Sequence, residues 1–496
     1  MKRNERLNGL PDHLLLEILS LLPLKTAMAT AVLSRRWRWL WTHLTDINID
    51  ITSYPTYTHP NSLGNLRSLV QNVLPKLTSP FIRNLSFHLR YDGFENHDQD
   101  NGEEKYNTDN IVSWYEWASG HKNHLRKLRV LLNPNYWPGT LFSEVPLWIF
   151  QTPSLEVLEL SVWFVFGYDL VKYRNSSFHL PNLKKVTVNL FCDNPWILEK
   201  LVSCSPSLEV LSCSIFLPTT ANDNNPIIVN LSSRNLKQLV MELSHPIHIV
   251  IDAPKLEYLY LHVNKSSYRT TLSYKISFVD SPTALLTCSI SPWTDRQGRD
   301  IFLPSNLFSV ISGVRSLTTA DQNPTPLIAP ITFRSLTRLR FLLRRDLNEA
   351  EDLEGLALLQ QCPILEVLTF DLSEYLQPKN HNWSIPDSTP QCLVTRVKRI
   401  EILAHPIVVG LEDMLFPLLK YLLGNAKVLE LLKITIIPPP RRDVTGYSSE
   451  SYNEVQLIKD VFKVPRCSPQ SKVEFYSPDR SVLAEEGIDF APSLLL

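Results

Sequence analysis

The sequence predicts an α/β solenoid, and three observations lead there. A chain of 496 residues is too long for one compact core. A single apolar frame returns along most of it. Glycine, finally, is too sparse for the glycine-rich α/β sites. There are 14, and the closest two, Gly93 and Gly102, stand nine positions apart. A dinucleotide fingerprint, a phosphate loop and a nucleophile elbow each need glycines within about five positions of one another. All three are excluded.

The frame is clearest in PSLEVLEL, PNLKKVTV, PSLEVLSC, PKLEYLYL and PILEVLTF. Counting from the first residue, apolar side chains fall at offsets +2, +5, +7 and +9. From Pro153 they are Leu155, Leu158, Leu160 and Val162; from Pro181, Leu183, Val186, Val188 and Leu190. Starts at Pro80, Asn123, Pro206, Arg234, Pro254, Arg334, Pro363, Thr395 and Lys427 fit as well. TALLTCSI and VRSLTT hold two degenerate copies between Pro254 and Arg334. Starts from Pro153 to Pro254 are 28, 25, 28 and 20 residues apart. Offsets +5, +7 and +9 alternate as in a strand. One such strand cannot bury its apolar side alone, so stacked copies must share a continuous core.

This pattern resembles irregular leucine-rich repeats. The family asparagine would stand at +10, where the copies from Pro153 to Pro254 have Trp163, Phe191, Phe216, Ser244 and Asn264, so one of these five keeps it. Offsets +4, +6 and +8 would line the outward sheet face, the usual binding surface of such solenoids. Its candidates are Lys185, Tyr258, Tyr260, His262, Arg338 and Arg340, with Glu159, Glu242 and Asp371 beside them. The row of Tyr258, Tyr260 and His262 is the preferred centre, because tyrosine is enriched in binding hot spots.

Before the repeats, LNGLPDHLLLEILSLLPLKTAMATAVLSRRWRWLW divides into three short helices. Pro11 suits a helix start, and Leu14, Leu15, Ile18, Leu19 and Leu22 form a stripe that Pro23 ends. A second helix runs from Thr26 to Leu33. Ser34 caps a third from Arg35 to about Thr42, with Trp37, Leu40 and Trp41 on one face. So few residues cannot bury these side chains unaided, which requires packing on another domain or chain.

The segment from Leu7 to Leu44 resembles an F-box. The likeness rests on Leu10-Pro11-Asp12, on the Leu22-Pro23 break, and on Val32-Leu33-Ser34-Arg35-Arg36-Trp37 through Leu40-Trp41. His13 and Thr26 depart from it, standing where acidic residues are usual. The resemblance implies docking on a Skp-type adaptor, and through it to cullin and RING subunits. Adaptor contacts would come from Leu10, Pro11, Leu14, Ile18, Leu22 and Pro23. Val32, Leu33, Trp37, Leu40 and Trp41 would divide between that interface and internal packing.

Late in the chain, Trp383, Pro386, Pro390, Cys392-Leu393, Gly410, Glu412, Tyr421-Leu422-Leu423 and Asn425-Ala426 resemble the FBD region of plant F-box proteins. Glu412 follows Gly410 by two positions rather than four, a local departure. The expected organisation is an F-box over 1–45, a leucine-rich-repeat solenoid over 46–375 with an acidic insertion at 91–110, an FBD region closing the solenoid over 376–476, and a tail over 477–496.

Charge is nearly balanced, with 49 basic and 50 acidic residues, which argues against a chain-wide nucleic-acid surface. Arg35, Arg36 and Arg38 make only a small patch. His121-x-x-His124 and His245-x-x-His248 lack a carboxylate at helical spacing, so they read as ordinary histidines, with no metal or cofactor expected. Asp12 and Glu17 interrupt the first leucine run, unlike a secretory signal. No uncharged apolar stretch approaches the ~18 residues that span a bilayer. The seven cysteines are scattered and never form C-x-x-C, which points to a reducing compartment: cytosol, nucleus or both. The expected role is the non-catalytic substrate-recognition subunit of an SCF-type ubiquitin ligase. The alternative is an adaptor-bound or free-standing interaction scaffold without ubiquitin transfer.

Overall fold

The computed structural model describes residues 9–50, 69–91, 109–134, 145–165, 170–191, 195–216, 227–244, 246–263, 274–291, 306–319, 331–342, 354–372, 385–404, 411–436 and 461–476. The acidic insertion, Trp383, Gly410 and the 477–496 tail lie outside them, apart from the insertion's ends. The described residues form two compact units, one up to Ser244 and one beyond it.

In the first unit the strands are β1 (Asp46–Asp50), β2 (Asn84–Tyr91), β3 (Lys127–Pro134), β4 (Val157–Val165), β5 (Lys185–Phe191), β6 (Val210–Phe216), β7 (Ile228–Ser232) and β8 (Gln238–Leu243). All except β7 form consecutive parallel pairs in chain order. The second unit holds β9 (His248–Asp252), β10 (Tyr258–Val263), β11 (Lys275–Phe278), β12 (Thr287–Ser291), β13 (Ser316–Thr319), β14 (Arg338–Leu342), β15 (Val367–Leu372), β16 (Arg399–Ala404), β17 (Leu431–Ile436) and β18 (Lys472–Tyr476). Here β10 and β12 to β18 pair in parallel, while β9 and β11 pair separately.

The eleven sequence frames each begin their strand at offset +4. Register pairs +4 with +4 throughout: Asn84, Lys127, Val157, Lys185, Val210 and Gln238 stand side by side in the first unit. Offsets +2, +5 and +7 are buried in every frame, for example Leu208, Leu211 and Cys213, or Leu365, Leu368 and Phe370. The degenerate copies are genuine strands, β12 and β13, burying Cys288, Ile290 and Leu317. DINID, which the sequence reading passed over, is a strand in the same frame: β1 buries Ile47 and Ile49.

Between strands the chain returns through helices at Asp109–Ser119, Trp196–Ser203 and Leu411–Asn425, or through short 3₁₀ turns such as Leu147–Gln151 and Glu354–Gln361. Parallel strands need such crossovers. The small strands β7, β9 and β11 were not anticipated, although HIVIDAP reads as strand-like. Of these, β7 and β11 are tied to neighbouring helix starts or helices through side chains. Glu199 accepts the Asn230 amide, and Asn306 both accepts from and donates to the Phe278 backbone at 2.8 and 2.6 Å.

Just before each strand, the +3 backbone N–H donates to the +3 carbonyl of the preceding copy, as from Glu156 to Arg126 and from Glu430 to Lys398. The side chains at this offset alternate in sign from Arg126 to Glu257 and again from Glu366 to Glu430. Arg126–Glu156 (3.7 Å), Glu156–Lys184 (3.3 Å), Glu209–Lys237 (3.0 Å) and Lys398–Glu430 (3.8 Å) are ion pairs along the turns. Each is exposed and worth about 0–1 kcal/mol. They occupy the approach to the strand, at a different offset from the family's asparagine.

At the N-terminus two α-helices, Asp12–Ser20 and Leu24–Ala29, precede a 3₁₀ turn at Thr30–Val32. The third element is a 3₁₀ helix over Trp37–His43, not the α-helix expected. Its tighter winding eclipses residues three apart, which stacks Trp37 over Leu40. Ser34 Oγ accepts the Trp37 N–H at 3.4 Å, close to the expected cap. Both α-helices pack against β1.

Candidate docking surfaces

The N-terminal helices sort their side chains in two directions. Leu15, Leu19, Leu24, Ala27, Trp37, Leu40 and Trp41 face inward. Leu14 and Ile18 lie one turn apart on the outer side of the first helix, 36% and 39% exposed. Beyond the second helix, Val32 and Leu33 stand out at 88% and 59%. Pro11 is exposed, while Leu10, Leu22 and Pro23 are half-buried. Of the residues expected to divide between adaptor contact and internal packing, three lie inside. Trp37, Leu40 and Trp41, at 3%, 6% and 5% exposure, are core residues of this region and offer no accessible contact surface. The residues that sequence reasoning missed are Leu21 and Trp39, 82% and 60% exposed. Trp39 sits two positions after Trp37, off the buried row, and that offset was the available signal.

The arginines also separate. Arg36 donates to the Leu10 carbonyl at 2.6 Å and pairs with Asp12 through Nε at 2.8 Å. It fastens the start of the first helix to the third element. That leaves Arg35 and Arg38 exposed, a smaller basic surface than the sequence suggested.

The outward sheet face of the first unit centres on Glu159, whose side chain is 13% exposed. It accepts Arg129 Nε at 2.8 Å and Lys185 Nζ at 3.0 Å. Lys185 is thus committed within the sheet. Glu159→Ala should cost about 1–2 kcal/mol, since it leaves two adjacent cations uncompensated, discounted because both are half-exposed. Lys185→Ala should cost less than half as much, with both read from urea midpoints.

On the second unit, Tyr258, Tyr260 and His262 are half-buried on one face of β10, the last two with ring centroids 6.5 Å apart. Burial pushes the Tyr258 phenol up to about 12, with Tyr260 and Cys288 adding and Arg340 opposing. Arg340 pairs with Asp371, whose carboxylate is 3% exposed. Arg340 Nε is buried without a hydrogen-bond partner. Arg338 is exposed and makes no hydrogen bond or ion pair among the described residues. Between the tyrosine and arginine strands lie Thr287, Ser289, Ser316 and Thr318, all small.

The remaining histidines are placed by packing. His121 lies against Trp117 at 5.0 Å, and burial lowers its pKa. His124 lies 5.4 Å from Phe81, and His248 Nε2 is 3.2 Å from Ser277 Oγ. His245 lies outside the described residues. No three His, Cys, Asp or Glu side chains converge as a metal site among the described residues. Nor is any described helix long and apolar enough to cross a membrane.

Two family models match. Residues 7–44 match the F-box domain. Residues 115–286 match the LRR repeats of the FBD-associated F-box protein At5g56370. The chain is 27% identical to the F-box/FBD/LRR-repeat protein At5g22660 of Arabidopsis thaliana, covering 95% of this chain and 96% of the relative. It is 26% identical to F-box/FBD/LRR-repeat protein At5g53840 of the same plant, at 95% and 96% coverage. FBD-associated F-box protein At5g38590 is 26% identical over 87% of this chain and 93% of its own. The chain thus resembles F-box/FBD/LRR-repeat proteins along almost its whole length. Its N-terminal helices are therefore the F-box, and the parallel strands that follow include the leucine-rich repeats. The repeat model ends at 286, yet the same frame and register continue through β17.

Proposed function

We propose that this F-box/LRR chain is the substrate-recognition subunit of an SCF-type ubiquitin ligase. The F-box docks a Skp-type adaptor, which joins it to cullin and RING subunits, and the repeats hold a target protein. The chain does no chemistry itself. It raises the local concentration of target beside the conjugating enzyme. The organisation proposed is F-box 1–45, repeats 46–375, FBD region 376–476 and tail 477–496. In this reading β16 to β18 extend and close the array, and the protein works in cytosol, nucleus or both.

One observation carries the docking claim: Leu14, Ile18, Val32 and Leu33 stay outside a helical region that buries Leu15, Leu19, Leu24, Trp37, Leu40 and Trp41. Solitary exposed leucines are ordinary, but four on two neighbouring elements are what a partner would cover. Each contributes about 1.5–3 kcal/mol if fully buried. Pro11 lies beside them, and Leu10, Leu22 and Pro23 present partial surface.

Val32→Asp and Leu33→Asp should each weaken adaptor binding at least tenfold while leaving the melting curve unchanged, because both side chains are already in water. Calorimetric titration of purified adaptor into each variant reads the first, and circular dichroism the second. Unchanged affinity in both would remove the docking surface assigned here. Reconstitution with cullin and RING then asks whether autoubiquitination follows. Adaptor binding without transfer would favour the scaffold role.

A further inference from the structure

We infer that the outward face of β10 to β14 binds an extended acidic segment of the target protein, anchored on Arg338 and Arg340. This rests on the reading of the repeats as the target-binding surface, and it names the chemistry of that surface.

Register places two rows side by side. One runs Tyr258, Thr287, Ser316, Arg338; the next runs Tyr260, Ser289, Thr318, Arg340. At about 4.8 Å between neighbouring strands, the backbones of β10 and β14 stand roughly 14 Å apart across a floor no taller than threonine. One extended chain fits that width, and the low floor lets its backbone come close. Tyrosine walls supply flat apolar area with little side-chain entropy to lose.

The charges decide the occupant. Arg338 is exposed with no partner among the described residues. Arg340 has given a terminal nitrogen to Asp371, while its Nε is buried and unbonded. Asp371 is buried beneath that pair, and Arg399 is matched by Glu401 at 2.5 Å on β16. What faces the strip unpaired is therefore the Arg338 guanidinium, with the Asp371-paired Arg340 beside it, and an unpaired guanidinium suits a carboxylate side chain. The first unit differs: Arg129 and Lys185 are both held by Glu159, and the described outward positions of its frame carry no tyrosine.

The test uses the full chain bound to its adaptor and a random-peptide display library as the probe. Retained peptides should be enriched in Asp and Glu and should wash off as salt rises. For a selected acidic peptide measured by fluorescence anisotropy, Arg338→Gln should weaken binding tenfold or more. Thr318→Trp, which fills the floor without touching charge, should do the same, and Lys472→Gln at the start of β18, four strands beyond β14, should not. Peptides retained without acidic enrichment, or acidic peptides indifferent to Arg338→Gln and Thr318→Trp, would overturn the inference yet leave the repeats as the target surface. A library that yields nothing, with adaptor still bound, would overturn both.

Discussion

Trp114→Ala should unfold the rung around β2 and β3 at a cost of about 3–5 kcal/mol, among the largest effects available in the chain. Trp114 has no exposed surface, and it packs on Phe87 of β2 with ring centroids 4.9 Å apart and on Tyr115 at 5.2 Å. It belongs to the helix Asp109–Ser119, which lays Trp114 and Ala118 one turn apart against the sheet. Its indole N–H is buried without a hydrogen-bond partner among the described residues. Trp114→Phe therefore has no such bond to lose and should cost about half as much as the alanine. Because each repeat touches mainly its neighbours, the damage should stay local. Hydrogen exchange should quicken at β2 and β3 amides and remain slow at β15 and β16. Uniform loss of protection along the whole chain would contradict the repeat model of stability.

What the sequence disclosed follows from which constraints are periodic. The frame could be read because +2, +5 and +7 must be apolar in every copy, and the structure buries them from Ile82 to Ile434. DINID escaped notice because its frame starts at Thr42, inside the run assigned to the F-box, so its +2 leucine, Leu44, was counted as the end of that segment. The small strands β7, β9 and β11 escaped because they obey no repeat. Single side chains, Glu199 and Asn306, hold β7 and β11, and β9 pairs with β11.

The outward face was only half legible. Alternation fixes which offsets point out, and on that ground alone Lys185, Arg338 and Arg340 could be assigned to the face. Whether a charge there is free depends on the neighbouring strand, tens of residues away. Glu159 claims Lys185 across one strand boundary, whereas Arg338 meets Ser316 and Val367 and keeps its charge unmatched. Pairing of that kind becomes visible only once register is known.

The tryptophans of LSRRWRWLW give the second large effect, and they separate packing from contact. Trp37 is 3% exposed among Leu15, Leu19, Leu40 and other buried side chains of a region too small to have stability in reserve. Trp37→Ala should cost about 3–5 kcal/mol and melt the F-box. Adaptor binding would then vanish together with protection of the Leu10–Leu44 segment from protease, while the repeats stay intact. Trp39, 60% exposed, should tolerate alanine within about 0.5 kcal/mol. Any loss of adaptor affinity in Trp39→Ala is then loss of a contact, because the fold beneath it has not changed. Limited proteolysis beside adaptor titration distinguishes the two cases. A Trp37→Ala chain that resists protease yet fails to bind would return Trp37 to the interface, and the burial argument for assigning it to the core would be wrong.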